Sequence, residues 1–184
     1  MTGRTGAGPG TTASPGQLGL WLFLSTEVMM FGALLLAITL ARLGRSGAAP
    51  FDKGLGAANT AILLTSSLLV AVAVERSGPC SGPGRARLPL VGAAALGVAF
   101  LAVKAVEYRA DFAKGLVPGP DLFVNLYYVA TALHAVHLTI GVALLAGLAL
   151  VRPQPSTVEA AGLYWHFVDL VWVFLYPALY LVPG

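Results

Sequence analysis

The stretch AAGLYWHFVDLVWVFLYPALYLV, residues 160–182, decides the fold class. It is long enough to cross a hydrocarbon core of about 30 Å, which takes about 20 mostly apolar residues. Its apolar residues run on without the alternation of a barrel strand, so the stretch reads as a helix. Yet it carries His166 and Asp169, three positions apart. Four stretches of the same kind precede it, at residues 18–40, 55–74, 88–106 and 122–151. Gly and Pro punctuate the connections at 44–50, 77–89, 113–120 and 152–156, as turn chemistry requires. The expectation is an all-α polytopic membrane protein, a bundle of five transmembrane helices over residues 18–184. Residues 1–17, rich in Gly, Thr and Pro, read as a mobile tail. They lack the short apolar core of a signal peptide, so the first span is expected to direct insertion itself.

Composition agrees with that class. Of the 184 residues 57% are hydrophobic and only 10% charged, where a soluble domain carries about 25% charged residues. The net charge of +3 comes with no basic cluster beside an aromatic platform, so nucleic acid is not an expected partner. The single cysteine, Cys80, excludes an intrachain disulfide and a multi-cysteine metal site. The loops are too short for a soluble domain and hold no phosphate loop or nucleophile elbow. Orientation is not decided by charge. Arg4, Arg76, Arg85, Arg87 and Arg152 fall on one side, and Arg42, Arg45, Lys53, Arg109 and Lys114 on the other. The dense Arg85-Ala86-Arg87 loop favours a cytoplasmic N-terminus. Lys104, close to the end of the third span, is expected to snorkel to the interface.

Ionisable groups in the hydrocarbon cost a few kcal/mol each, so every one calls for an explanation. Glu27 lies nine residues into the first span, roughly 13 Å deep at about 1.5 Å per residue. His134 and His137 share part of one helix face, as do His166 and Asp169. Trp165, Asp169, Trp172 and Tyr176 follow at spacings of four, three and four, which makes one stripe suited to packing on another helix. Three readings stand side by side. The histidines and Glu27 hold a metal or haem, though H-x-x-H with a distant Glu is a weak signal and His134 and His137 cannot serve one haem together. They form a proton path. Or they hydrogen-bond one another and hold the bundle together. Gly92, Ala93, Ala94, Ala95 and Gly97 in the third span, and Asn59, Thr60, Thr65, Ser66 and Ser67 in the second, suit close helix packing. Tyr127, Tyr128, Trp165, Tyr176 and Tyr180 read as packing residues or interface anchors, with Tyr180 placed for an anchor. Pro177 is expected to kink the last span.

Five separated stretches resemble one family, subunit III of haem-copper oxidases, in particular of cytochrome c oxidase. They are LGLWLFLSTEVMMFG at 18–32, NTAILLTSS at 59–67, KAVEY at 104–108, ALHAVHLTIG at 132–141 and GLYWHFVDLVWVFLYP at 162–177. They occur in the family's order and cover nearly everything after the tail. The longer members have seven helices, and this chain is similar to their last five, a short bacterial form. The resemblance implies a subunit that carries no catalytic centre and binds no haem or copper. Those cofactors are expected in partners, the catalytic subunit I and subunit II. The implied role is to stabilise subunit I and to support proton uptake in aerobic respiration. The cleft that holds phospholipid in the long form is in doubt here, which still leaves room for bound membrane phospholipid. Two helices are expected to be supplied by a partner or to be missing. The family's buried glutamate matches Glu27, its paired histidines match His134 and His137, and its polar position after the third helix matches Glu107. His166 and Asp169 become a structural signature, with Trp165, Trp172 and Tyr176 as packing residues. A direct Glu27–His137 hydrogen bond is expected, and Asp169 is expected to hydrogen-bond within the bundle. The implied location is the bacterial cytoplasmic membrane, with the N-terminus in the cytoplasm.

Two alternatives stay within the superfamily: subunit III of a quinol oxidase, and an accessory protein of nitric oxide reductase. One lies outside it, an autonomous transporter or b-type cytochrome. The odd number of spans without an internal repeat speaks against a transporter.

Overall fold

The computed structural model describes residues 15–44, 51–78, 84–151 and 154–181. Among these it forms five helices: α1 (Pro15–Leu43), α2 (Lys53–Glu75), α3 (Arg87–Ala113), α4 (Leu122–Leu150) and α5 (Pro155–Tyr176), the last running on into a wider π turn at Pro177–Leu181. All five are long and apolar enough to cross a membrane. Large apolar side chains cover the outside, including Trp21, Leu22 and Met29 on α1, Leu68 on α2, Leu88 on α3, Leu150 on α4 and Phe174 on α5. Such an exterior suits hydrocarbon or another protein within the membrane.

Local chemistry sets the ends. The Asp52 carboxylate accepts from Gly54 N at 2.8 Å and Leu55 N at 3.2 Å and so starts α2. Asp121 does the same for α4 through Phe123 N at 3.0 Å and Val124 N at 3.4 Å. Each cap satisfies two of the donors that a helix start leaves open. Pro155 opens α5 at a position where its missing N–H costs nothing. After α3 the chain turns at Gly115, whose φ of 78° lies where a side chain is disfavoured. Asn125 then braces the turn, donating to Gly119 O at 2.7 Å and accepting from Gly119 N at 2.9 Å.

α2 packs on α3, α3 on α4, α4 on α5, and α5 back on α2. These four helices close a core around Trp165, Trp172, Tyr127 and Phe100, all fully enclosed. α1 stands outside the four and packs mainly on α4, α5 and the last turn. The indole of Trp165 fits between α3 and α4 because both offer a glycine there. A Cβ on Gly97 would meet Trp165 Cη2 at 2.8 Å, and one on Gly141 would meet Trp165 Cε3 at 2.9 Å.

Several expectations need correction. α3 runs seven residues past the expected end at 106, because the polar residues after Val106 keep helical spacing and turn inward. Glu107 therefore lies inside α3, not after it. Lys104 does not snorkel; it is 5% exposed and points into the core. Tyr180 is no interface anchor, since it is 1% exposed. Arg42, counted as a loop charge, is buried at the end of α1, with its guanidinium 5.3 Å from the Phe123 ring centre. Arg109 is likewise inside a helix, although exposed. Pro177 widens the helix into a π turn, the adjustment that absorbs its missing N–H. Helix α1 begins at Pro15, so residues 15–17 of the expected tail are helical. The rest of that tail, Cys80, most of the 44–50 connection and residues 152–153 lie outside the described residues.

The glycine notches around Trp165 make a direct prediction. Gly97→Val should cost about 1–3 kcal/mol, the usual range for overfilling a packed core. Gly147→Ala, where an added Cβ meets nothing within 4 Å, should not lower the melting midpoint. Thermal unfolding of the two purified variants checks this, and equal midpoints would contradict it.

Candidate functional site

The ionisable residues of the sequence fall into three places. The first joins α1 to α4. Glu27, in the middle of α1, places Oε2 3.1 Å from Nε2 of His137. The line between them departs from hydrogen-bond geometry, so this is a charge contact and not the expected aligned hydrogen bond. The other ring nitrogen settles its chemistry. Nδ1 of His137 lies 2.9 Å from the carbonyl oxygen of Leu133, which only accepts, so Nδ1 carries a proton. Nε2 is the atom turned to the Glu27 carboxyl group, so that group lies against an imidazole and not against bare hydrocarbon. Phe31 covers the imidazole edge-on at 5.4 Å.

The second place is the centre of the four-helix core. His134 is fully enclosed, its ring 5.6 Å from that of Phe100 and 5.1 Å from that of Trp172. Trp172 donates its indole N–H to Thr60 Oγ1 at 3.1 Å. His166 is only half-buried and bonds Ser67 Oγ through Nδ1 at 2.7 Å. Asp169 faces protein, as its stripe with Trp165 and Trp172 requires, and is 3% exposed. Its carboxyl group has Ser67 of α2 and Trp165, one turn back on α5, as polar neighbours. Tyr176, at the end of the stripe, donates to Lys53 O at 3.3 Å.

The third place was not legible as a site. Near the α3–α4 turn, the Lys104 ammonium donates to Glu107 Oε2 at 3.0 Å, Tyr180 OH at 2.7 Å and Tyr127 OH at 3.4 Å. All three of its hydrogens are used. Tyr180 donates to Glu107 Oε1 at 2.5 Å, and Tyr127 donates to the same oxygen at 3.1 Å. Trp172, Tyr127 and Tyr180 turn their rings to the ammonium at 4.8, 5.2 and 5.4 Å, close enough for cation–π attraction. Phe51 stacks on Tyr127 at 3.7 Å and closes the cage from the start of α2. Beside it, Thr131 donates to Tyr127 O at 2.6 Å, so Tyr108 must be the donor in its 2.5 Å contact with Thr131. Of this group the sequence offered Glu107 as a site residue, while Lys104 was expected at the interface and Tyr127 and Tyr180 as packing residues or anchors. The signal that marks the rest is spacing: Phe100, Lys104, Glu107 and Asp111 recur at four, three and four, and all are buried.

The three histidines do not converge, since each is held by different neighbours. Among the described residues no three His, Cys, Asp or Glu side chains are grouped as a metal would need.

The cage makes a second prediction. Glu107→Leu strands a buried ammonium and should cost about 3–5 kcal/mol, as removal of one partner of a buried pair does. Adding Lys104→Met should recover most of that loss. Thermal unfolding of the single and double variants measures both; a double variant no more stable than the single one would show that the charge pair is not what matters.

Residues 10–183 match the family described as Cytochrome c oxidase subunit III. The chain is 31% identical over 180 residues to a cytochrome c oxidase subunit 3 of Thermostichus vulcanus, covering 90% of this chain and 86% of that one. It is 28% identical over 176 residues to a quinol oxidase subunit 3 of Bacillus spizizenii, with the same coverage of 90% and 86%. It is also 31% identical over 187 residues to a heme-copper oxidase subunit I+III of Aeropyrum pernix; this takes in 89% of the chain but spans only 22% of that longer protein. With a match that runs nearly end to end and five helices built to span a membrane, the chain belongs to the family of subunit III of haem-copper oxidases.

Proposed function

We propose that the chain is the non-catalytic subunit III of a cytochrome c oxidase, working in the cytoplasmic membrane of a bacterium with its N-terminus in the cytoplasm. The observation that carries this reading is the family match over residues 10–183. Haem and copper are assigned to partner subunits I and II, in keeping with a chain whose histidines are separately engaged with Glu27, with Ser67 and between aromatic rings. Phospholipid is the natural neighbour of the broad apolar exterior. The subunit stabilises the catalytic subunit and supports its proton uptake. Glu27 and His137 are the groups proposed for the second task, because a carboxyl group and an imidazole meet halfway along α1 at the margin of the bundle, with side chains 13% and 11% exposed.

A second reading, subunit III of a quinol oxidase, is supported by the quinol oxidase relative described above. The two differ in the electron donor of the complex.

Purification through a tag on this chain in mild detergent should bring down a haem-bearing oxidase. Oxygen uptake by that complex with reduced cytochrome c, and not with quinol, is the expected result. Quinol-driven uptake would move the assignment to the second reading, and a tagged chain recovered without haem-bearing partners would overturn both.

Glu27→Gln tests the proton role, because an amide keeps hydrogen-bonding ability but does not titrate. The variant complex should assemble, and its turnover should fall selectively at high pH, where proton supply limits the rate. Unchanged turnover across the pH range would confine the Glu27–His137 pair to holding α1 on α4.

A further inference from the structure

Polar groups on the outside of a membrane bundle must find a partner other than bulk water. The exposed hydroxyls of Ser25, Thr26, Thr65 and Thr139 provide for themselves, each donating to a carbonyl oxygen three or four residues back on its own helix. His166 on α5 does not. Its Nδ1 lies 2.7 Å from Ser67 Oγ, but no group among the described residues bonds Nε2. The ring is only half-buried, and Nε2 opens to the outside of the bundle.

The place is deep. His166 stands eleven residues after Pro155, about 16 Å along α5. Ser67 stands eight residues before Glu75, about 12 Å from that end of α2. Half of a hydrocarbon core is about 15 Å. Lipid headgroups are therefore out of reach, and lipid tails neither donate nor accept a hydrogen bond. The surface around the imidazole is shaped for another helix. Leu163, Leu170 and Val173 line up with it on α5, at 44%, 53% and 38% exposure. Leu64 and Ala71, both exposed, line up with Ser67 on α2. The two helices close up beneath this surface, where a Cβ on Gly162 would meet Val74 Cγ2 at 2.9 Å. The result is a shallow apolar seam with an imidazole nitrogen in it.

A second copy of this chain does not supply the missing partner. In a symmetric contact Nε2 would face Nε2, and two rings of the same tautomer offer two lone pairs or two N–H groups. A hydroxyl or a carboxamide serves either tautomer, because each both donates and accepts. We propose that the α2–α5 face centred on His166 is a docking surface for a transmembrane helix of the catalytic subunit I, and that this helix brings a Ser, Thr, Tyr, Asn or Gln side chain to Nε2. The inference rests on the reading of the chain as subunit III of an oxidase, and adds which face meets subunit I and by what chemistry. The face is separate from the Glu27–His137 pair at the α1–α4 contact.

The test uses the oxidase purified through a tag on subunit I. With Leu170 replaced by photoreactive benzoylphenylalanine, irradiation of membranes should join this chain to subunit I, at a helix that carries one of those side chains. Adducts to a second copy or to lipid alone overturn the proposal. In a second arm, His166→Phe keeps a ring and removes both nitrogens. The amount of this chain that stays on the complex through a detergent wash, relative to its amount in the membrane, should fall about threefold or more, as the loss of one interhelical hydrogen bond predicts. His166→Gln, which still donates and accepts, should hold most of it. Ser67→Ala breaks only the inner bond and should be retained like the native chain. Native retention of His166→Phe, or equal loss in Ser67→Ala, overturns the proposal. Should His166→Phe not accumulate in the membrane, the cross-link alone decides. A native chain that does not come down with subunit I defeats the underlying reading and this one with it. An assembled complex whose cross-link goes elsewhere defeats this one alone.

Discussion

An ammonium group can stay inside a membrane bundle only if every one of its hydrogens is met by protein, and Lys104 is where this chain satisfies that demand. Its partners come from three helices. Glu107 stands one turn along α3, Tyr127 comes from α4, and Tyr180 comes from the turn after α5. The carboxylate is met by the same two hydroxyls. Charge neutrality, ring stacking by Phe51 and the closed hydrogen bonding together fix how the ends of four helices meet. The pair does not add much stability over an apolar core of equal volume; its value lies in allowing one arrangement of those helix ends and no other.

The Glu27–His137 contact obeys the same constraint with fewer means. It has one carboxyl–imidazole contact, one carbonyl and one aromatic cover instead of a cage. It also lies at the margin of the bundle, where α1 meets α4. A closed cage in the core and a thinly supported pair at the edge suit different tasks. The first is made to stay as it is. The second is held by few contacts and is the more open to its surroundings.

The five spans were legible because hydropathy over some twenty residues is a long signal that no local feature cancels. The family motifs were legible because they are unbroken strings. The inward turn of Lys104 was not. A lysine near the end of an apolar run has two resting places, the interface and the core, and only its partners decide between them. Those partners lie 23 and 76 positions away in the chain. Tyr180 was misread for the same reason, since a tyrosine near a helix end suits an interface as well as a carboxylate. The stripe through Trp165, Asp169 and Trp172 was read correctly as inward-facing, because it needed only helical spacing. Whether the Asp169 oxygens find a protein partner depends on side-chain placement across α2, which no spacing rule supplies.

The π turn at Pro177–Leu181 has a consequence for how this chain tolerates change in length. Tyr176 and Tyr180 both reach polar partners, one at the start of α2 and one in the cage. The wide turn brings their rings to 5.4 Å of each other. Removing or adding one residue between them would swing Tyr180 by about 100° around the helix, the angular step of a residue. It would then face hydrocarbon and leave the lysine and glutamate short of a bond each. Substitutions at Ala178 or Leu179 alter volume only, but insertions and deletions alter phase. The segment from Tyr176 to Tyr180 is thus a ruler, whose length sets where the second hydroxyl lands.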